Sequence, residues 1–344
     1  MNNTKKKSPI SWVPTAYFAM GLPFVVLNMV TVLMFKGLEV DDKLITFWTS
    51  LILLPWTLKP LWSPFLELFR TKKFFVIVTQ LITGVTFGLV AFALNLSHFF
   101  SISIALLAIV AFSGATHDIA CDGVYMSELS NEDQAKFIGW QGAFYNIAKI
   151  LATGGLVYLA GYFIELNADA GLLTANKRAW MIILLILSVT MIILGIYHLF
   201  ALPSTQSASS KKTLRSNKEV MKELGQVLMD FFRKTHITYY ICFIILYRFA
   251  EGFVMKIVPL FLKADREMGG LGLNEKEIGL YYGTYGAAAF VLGSLLAGYY
   301  IARRGLKKND FLVVLYFQPS FYGVCLVCLL PAGEWLDNMQ WYRF

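Results

Sequence analysis

Along the chain, long apolar runs alternate with short polar segments. Nine of these runs come close to the roughly 20 residues that a helix needs to cross the hydrocarbon core of a bilayer. This pattern predicts an all-α, polytopic membrane protein. The predicted spans are 12–35, 44–66, 74–96, 99–126, 138–164, 179–202, 236–262, 277–301 and 309–331.

The composition agrees with this pattern and excludes several classes of protein. Of the 344 residues, 57% are hydrophobic and 15% are charged, and the mean hydropathy is +0.59. Soluble domains carry about 25% charged residues, so a soluble enzyme, a disordered chain and a secreted disulfide domain are excluded. Cys325 and Cys328 have the C-x-x-C spacing of redox and zinc sites, but no second cysteine pair or histidine cluster accompanies them. The four histidines show no metal-ligand spacing, and we predict neither a metal nor a cofactor.

The net charge of +8 is distributed unevenly between the two sides of the predicted membrane. When the loops are assigned to alternating sides, about 18 lysines and arginines fall on one side and about 8 on the other. The positive-inside rule then places the N-terminus in the cytoplasm, and we expect the protein to lie in the cytoplasmic (inner) membrane. The basic character therefore indicates topology and contact with anionic lipid headgroups, not nucleic-acid binding.

The order of apolar and polar stretches divides the chain into four segments. A cytoplasmic N-terminus (1–11) precedes a six-helix bundle (12–202), a cytoplasmic linker (203–235) and a partial second bundle of helices seven to nine (236–344). Apolar residues recur at helical spacing in the second part of the linker. This amphipathic helix lies either at the membrane surface or against the cytoplasmic ends of the spans.

Two pairs of similar segments indicate an internal repeat. The sequence VTVLMFK at 30–36 is similar to IVPLFLK at 257–263, and each precedes an acidic external loop. The segments 61–73 and 296–308 both end an apolar helix with a basic turn. The separation is about 230 residues in both pairs, as expected for the repeated halves of a transporter fold.

The basic loop between helices two and three, with its counterpart between helices eight and nine, resembles that of the major facilitator superfamily. In that family, two six-helix bundles are related by an axis along the membrane normal. Gly298 and Gly305 fit the family's loop motif in the second copy, whereas Pro64 and Glu67 replace its Gly and Asp in the first. The resemblance implies a major facilitator fold with a complete first bundle and about three helices of the second. Each span needs about 20 apolar residues plus a loop, so the second half is about three spans shorter than the first. We therefore expect a twelve-helix design that lacks helices ten to twelve.

Two further motifs resemble one branch of this superfamily, the AmpG-type muropeptide permeases and their acetyl-coenzyme A transporter relatives. The sequence PWTLKPLWSP at 55–64 is similar to the second-helix signature of the branch. The sequence ATHDIACDG at 115–123 is similar to its pattern A-T-Q-D-I-A-x-D-[AG] in helix four, with His117 in place of the Gln. The Arg that follows the second Asp in muropeptide permeases is absent. The resemblance implies a secondary transporter that works by alternating access.

Ionisable residues within the spans are the candidates for substrate binding and proton coupling, because they are costly in a membrane and usually face a cavity or a partner. Asp118 and Asp122 are four residues apart and share a helix face, as do Arg248 and Glu251 at a spacing of three. Carboxylates can exchange protons, and basic residues can hold a carboxylate, a phosphate or a sugar oxygen. The alternative is that these charges only tie helices together, as Lys59 paired with Asp122 would do. The candidates are Asp118, Asp122, Arg248, Glu251, Lys149, Lys59 and His117.

Other residues in and near the spans have structural interpretations. Lys256 lies toward the outer end of helix seven, and we expect it to snorkel to the membrane surface. The small residues of helices five and eight predict close helix packing. We expect a cytoplasmic latch formed by Glu67, Arg70, Arg303 and Arg304.

These features together predict a monomeric, proton-coupled transporter that brings a small polar organic solute, such as a cell-wall muropeptide, into the cytoplasm. Asp118 or Glu251 would carry the proton. No nucleophile–base set in the sequence indicates an enzyme. One alternative is a carrier or exchanger for acyl-coenzyme A or another anionic metabolite. Another is a membrane protein without transport, either a sensor or scaffold or an inactive truncated fragment.

Overall fold

The long apolar runs are helical in the part of the chain that the structure describes. A computed structural model describes residues 7–69, 71–203, 225–226, 229, 232–286 and 288–289. The helices long and apolar enough to cross a membrane within this part are Pro9–Gly37, Asp42–Ser63, Lys72–Ala93, Phe99–Glu128, Asn131–Leu166 and Leu172–Ala201. We call them the first to the sixth span, and together they form the first bundle. The prediction of an all-α membrane protein is confirmed.

The beginning of a second bundle follows the sixth span. It contains the seventh helix, Ile237–Lys263, and the first turns of an eighth, Glu275–Ile278 followed by a π-type segment at Gly279–Gly286. Asn274 caps the eighth helix in a reciprocal pair of hydrogen bonds. Its side chain accepts from the backbone amide of Glu277 at 2.9 Å, and the carboxylate of Glu277 accepts from the backbone amide of Asn274. The predicted ninth helix and most of the linker lie outside the described residues.

The first span is an interrupted helix. The α-helix Val13–Val25 changes to a π-type segment at Val26–Val30 and resumes at Thr31–Gly37. Pro23, which has no amide hydrogen, lies less than one turn before the change and removes an α-helical hydrogen bond. Because π-type bonding shifts the partner of each carbonyl by one residue, this segment can offer a carbonyl to another donor inside the membrane.

The second span is broken near its middle into the helices Asp42–Leu51 and Leu54–Phe69. Asp41 caps the first of these, accepting from two backbone amides at 3.0 and 3.3 Å. Pro55 lies in the first turn of the second, where an amide hydrogen is not needed, and it disfavours helical backbone at the residue before it. The break leaves the last carbonyls of Asp42–Leu51 without partners in that helix.

Glycines bring neighbouring spans of the first bundle close together. A Cβ atom at Gly84 in the third span would lie 2.7 Å from Ile192 and 2.9 Å from the carbonyl oxygen of Ser188 in the sixth. A Cβ atom at Gly21 in the first span would lie 3.0 Å from Ala148 in the fifth. Such close backbone approach increases van der Waals contact where the lipid gives no hydrophobic driving force.

The fifth span and the eighth helix also meet at glycines. Both are π-type at the contact, at Leu151–Leu156 and Gly279–Gly286. A Cβ atom at Gly283 would overlap the carbonyl oxygen of Thr153, and one at Gly154 would lie 3.3 Å from the backbone of the eighth helix. The predicted close packing of small residues in helices five and eight is confirmed at these two positions.

The spans end at two faces of the bundle. The N-terminal face contains the start of the first span at Pro9 and the end of the sixth at Ala201. The opposite face contains the loops at 38–41, 94–98 and 167–171 of the first bundle and the turn that follows the seventh helix.

Two ion pairs on the opposite face occupy equivalent positions in the two halves of the chain. Lys36, in the last turn of the first span, pairs with Asp42 at the start of the second at 2.7 Å. Lys263, the last residue of the seventh helix, pairs with Glu275 at the start of the eighth. The two lysines end the two similar segments found in the sequence. Each pair joins the first helix of a half to the second, as the internal repeat predicts.

Candidate functional site

A buried carboxylate, that of Asp118, lies at the centre of the candidate site. The residue belongs to the fourth span and is 8% exposed. Lys59 Nζ donates to its Oδ2 atom at 2.7 Å, and Trp56 Nε1 donates to the same atom at 2.9 Å. The other oxygen, Oδ1, is buried and accepts no hydrogen bond from the described residues. Asp118 is therefore held through one oxygen and free to accept through the other.

The local sequence explains this geometry. Trp56 and Lys59 are three residues apart in the second span, so they project from one helix face. Gly114 lies one turn before Asp118, and a Cβ atom there would lie 2.9 Å from Trp56 Cζ2. The absence of that atom lets the indole approach the fourth span and reach Asp118. Phe24 of the first span packs edge-on against the indole, with ring centroids 5.2 Å apart.

Asp122, one turn after Asp118 and exposed, belongs to a separate group of side chains. Tyr17 Oη of the first span donates to Asp122 Oδ1 at 2.8 Å, and Gln141 Nε2 of the fifth span donates to Tyr17 Oη at 2.7 Å. The alternative in which Lys59 pairs with Asp122 is therefore not what the structure shows. Lys59 pairs with the deeper Asp118, and Asp122 accepts from a tyrosine hydroxyl instead.

His117 contacts the third span and belongs to a buried polar chain. Its Nε2 atom lies 2.9 Å from Nε2 of Gln80. Oε1 of Gln80 lies 2.8 Å from Nδ1 of His198 in the sixth span, whose Nε2 atom lies 2.9 Å from Oγ1 of Thr15 in the first. Gln80 and His198 are fully buried, and His117 is 3% exposed. The chain therefore connects four spans inside the first bundle.

Lys256 of the seventh helix lies inside the protein, and the prediction that it snorkels to the surface is wrong. The residue is 7% exposed. Its Nζ atom donates to the backbone carbonyls of Asn28 at 3.2 Å and Thr49 at 3.3 Å. These carbonyls belong to the interrupted first and second spans, which supply acceptors within the bundle that a regular helix would not.

Lys149, Arg248 and Glu251 lie on the expected helices. Lys149 is half-buried in the last turn of the helix Asn131–Ile150. Arg248 and Glu251 lie in the seventh helix and Glu67 in the helix Leu54–Phe69, and the side chains of these three are outside the described part. The remaining latch candidates, which lie wholly outside it, are Arg70, Arg303 and Arg304.

Sequence reasoning missed six polar side chains of these groups: Thr15, Tyr17, Trp56, Gln80, Gln141 and His198. The available signal was an isolated polar side chain in a long apolar run, since such a group needs a partner inside a membrane. The identity of the partner depends on the rotation of each helix about its axis, which the spacing along one helix does not give.

The arrangement around Asp118 suits proton and anion exchange. A proton on the free oxygen would neutralise the carboxylate and weaken its attraction for Lys59. Lys59 could then bind an anionic group of a solute. Within the described part of the chain, no group of three or more His, Cys, Asp or Glu side chains could hold a metal ion.

The fold is similar to that of solved transporter structures. A bacterial homologue of the human lysosomal transporter Spinster, inward-facing and unoccupied, covers 95% of this chain with a TM-score of 0.63 and 11% identity, over 74% of its own length. The inward-facing, occupied form covers 92% with a TM-score of 0.56 and 13% identity, over 70% of its length. At these identities the likeness concerns the fold alone.

The sequence comparisons agree with the fold. The chain is 23% identical to the anhydromuropeptide permeases of Escherichia coli K12 and O157:H7 over 299 residues, or 85% of its length. It spans 55%, about half, of the length of these relatives. The pattern of the Major Facilitator Superfamily matches residues 15–342, and the prediction that the chain is not an enzyme is confirmed by this match. The chain therefore belongs to the major facilitator superfamily, as an integral membrane protein.

Proposed function

We propose that the chain acts as a proton-coupled secondary transporter, working as a monomer by alternating access. The observation that supports this most directly is Asp118, paired with Lys59 through one buried oxygen and unpaired at the other. An ionisable pair of this kind is costly inside a membrane. It is also weak evidence for net stability, so a role in the transport cycle is the better account of its presence.

The proposed cycle alternates between two partners for Lys59. While Asp118 is ionised, it holds the ammonium group of Lys59. When Asp118 takes up a proton at Oδ1, Lys59 becomes available to a carboxylate or phosphate of the solute. Return of the proton to the cytoplasm would restore the ion pair and displace the solute. Proton entry and solute entry are then coupled, because both depend on the same pair.

A cell-wall muropeptide is the solute that we propose to test first. The relatives of this chain include anhydromuropeptide permeases, and a muropeptide joins sugar rings to a peptide with carboxylate groups. Lys59 suits the carboxylates. Asp122 and Gln141, which lie nearer the N-terminal face, offer an acceptor and a donor for sugar hydroxyls.

We further propose that the N-terminal face is cytoplasmic and that the protein lies in the inner membrane. Lys7 and Lys73 lie on this face and donate to the carbonyls of Phe200 and Leu202 at the end of the sixth span. Cations near a helix C-terminus interact favourably with its dipole. Their position on this face agrees with the positive-inside rule.

The test is uptake of labelled muropeptide into liposomes that contain the purified protein, with and without an imposed proton gradient. Asp118→Asn removes the proton-binding group but keeps its shape, so we expect a folded protein that has lost the gradient-driven part of uptake. Asp169→Asn, at an exposed position in the loop after the fifth span, is the matched control and should behave as the unmodified chain.

Two results would contradict this proposal. Unchanged gradient-driven uptake in Asp118→Asn would remove Asp118 from the mechanism. Uptake that needs preloaded solute and ignores the gradient would exclude proton coupling and favour the exchange of an anionic metabolite. Thermal stabilisation of the purified protein by muropeptide would separate a failure of transport from a failure of binding.

A further inference from the structure

We infer that Lys256 is a gating residue, whose ammonium group closes the opposite face by docking the seventh helix on two backbone carbonyls of the first bundle. Its Nζ atom lies 3.2 Å from the oxygen of Asn28 and 3.3 Å from that of Thr49. The residue is 7% exposed. Among the described side chains, no carboxylate lies within ion-pair distance of its ammonium group.

The helices that carry the two carbonyls are both irregular. Asn28 lies in the π-type segment Val26–Val30, where the backbone departs from the α-helical hydrogen-bond pattern. Thr49 lies in the last turn of Asp42–Leu51. The amide that would normally bond to its oxygen, that of Leu53, bonds instead to the carbonyl of Ser50 at 3.2 Å. Lys256 thus supplies a donor to the carbonyl of Thr49, whose usual backbone donor is engaged elsewhere, and makes a second hydrogen bond to that of Asn28.

The position of this contact makes it sensitive to the state of the protein. Lys256 belongs to the second bundle, whereas Asn28 and Thr49 belong to the first. The principal contacts between the seventh helix and the first bundle lie at the parts of the first two spans nearer the opposite face. When the two bundles separate at this face during alternating access, Lys256 must leave both carbonyls. The ammonium group and the two carbonyls would then form hydrogen bonds with water, so their separation does not leave buried polar groups unpaired.

A second contact between the bundles on this face is more exposed. Lys276 at the start of the eighth helix pairs with Glu165 at the end of the fifth span, with side chains 24% and 57% exposed. Surface pairs of this kind contribute little. The contact of Lys256 is shielded from water, which would otherwise compete for its hydrogen bonds, so of these two polar contacts we assign the larger share of closure to Lys256.

The test measures the distance between two nitroxide labels on the opposite face, one on each bundle, by pulsed electron paramagnetic resonance. Lys43→Cys at the start of the second span and Glu267→Cys in the turn after the seventh helix are both exposed positions. The labels require a background in which the native cysteines are replaced, namely Cys121, Cys242, Cys325 and Cys328.

We expect Lys256→Met to raise the population with the longer distance by about tenfold, because it removes two hydrogen bonds between the bundles and leaves the carbonyl of Thr49 without a donor in the closed state only. Lys256→Arg keeps a charged donor and should restore most of the shorter distance. Lys136→Met removes an exposed lysine on the N-terminal side of the fifth span, and this matched control should leave the distribution unchanged.

An unchanged distribution in Lys256→Met, or an equal change in Lys136→Met, would overturn the inference. If Lys256→Met does not accumulate in the membrane, Lys256→Gln gives the same comparison with a shorter, uncharged side chain. The inference relies on the proposed transport cycle only for the motion itself. If the distance distribution shifts in a protein that shows no uptake, the role of Lys256 is supported and the proposed transport function is contradicted. If uptake is normal and the distribution does not shift, the transport function is supported and the role of Lys256 is contradicted.

Discussion

His117 and Asp118 are consecutive residues of the fourth span, yet they belong to two polar groups of different kinds. Asp118 forms a charged pair with Lys59 and has one unpaired oxygen. His117 joins a buried chain of side chains through Gln80, without a charged partner of opposite sign. Because successive helix residues point about 100° apart, neighbours in the sequence face different spans.

The comparison separates a polar group that holds helices together from one that can change its partners. In the chain of His117, each hydrogen bond is made between groups fixed on different spans, so breaking one leaves its neighbours unpaired. In the pair of Asp118 and Lys59, protonation alone is enough to change the interaction. We therefore expect the first group to affect stability and the second to affect both stability and transport.

The largest expected effect is that of Lys59→Met, which leaves the carboxylate of Asp118 without its charged partner. Breaking a buried pair in this way costs about 3–5 kcal/mol, and the protein purified in detergent should unfold at a clearly lower temperature. The double variant Lys59→Met/Asp118→Asn removes both charges and should recover most of the loss. If the double variant is as unstable as the single one, the stranded charge is not the cause.

A smaller loss of stability is expected for Gln80→Leu, which interrupts the polar chain between His117 and His198. Leaving uncharged buried groups unpaired costs about 1–3 kcal/mol. In contrast to the variants of the charged pair, gradient-driven uptake per folded molecule should not change. The triple variant in which both histidines are also replaced by Leu strands fewer polar groups and should be more stable than Gln80→Leu alone. Loss of gradient-driven uptake in Gln80→Leu would place the polar chain in the transport mechanism. The proposed difference between this chain and the pair of Asp118 and Lys59 would then be wrong.

The smallest effect is expected for Gly114→Ala. The added methyl group would lie 2.9 Å from Trp56 Cζ2, so the indole must move and its hydrogen bond to Asp118 must lengthen. We expect a loss of about 1 kcal/mol, at the low end for overpacking, together with reduced gradient-driven uptake. Gly139→Ala, where nothing lies within 4 Å of the added atom, is the control and should be neutral or slightly stabilising. Equal behaviour of the two variants would show that contact with Trp56 is unimportant.

The sequence was sufficient to predict the first six spans and the seventh helix, because these depend on long apolar runs. It also identified Asp118 and Lys59, since charges inside a span are rare enough to stand out. It did not predict the interruptions of the first two spans, which result from a balance between Pro23 or Pro55 and tertiary packing.

Lys256 shows how an unpredicted interruption changes the environment of a residue. Its position in the sequence places it toward the outer end of the seventh helix, and a lysine near the end of a span ordinarily reaches the surface. The carbonyls of Asn28 and Thr49, however, accept hydrogen bonds from it inside the protein. Both carbonyls lie on irregular parts of two other helices, and no property of the seventh helix indicates this.

The ion pairs Lys36–Asp42 and Lys263–Glu275 also bear on how the protein is made. Their partners are six and twelve residues apart in the chain, so each pair can form as soon as its own helical hairpin has left the ribosome and entered the membrane. The two hairpins would then insert as similar units, one early and one late in synthesis, before any contact between the bundles exists. Correct membrane insertion of each half is thereby tied to a short stretch of local sequence.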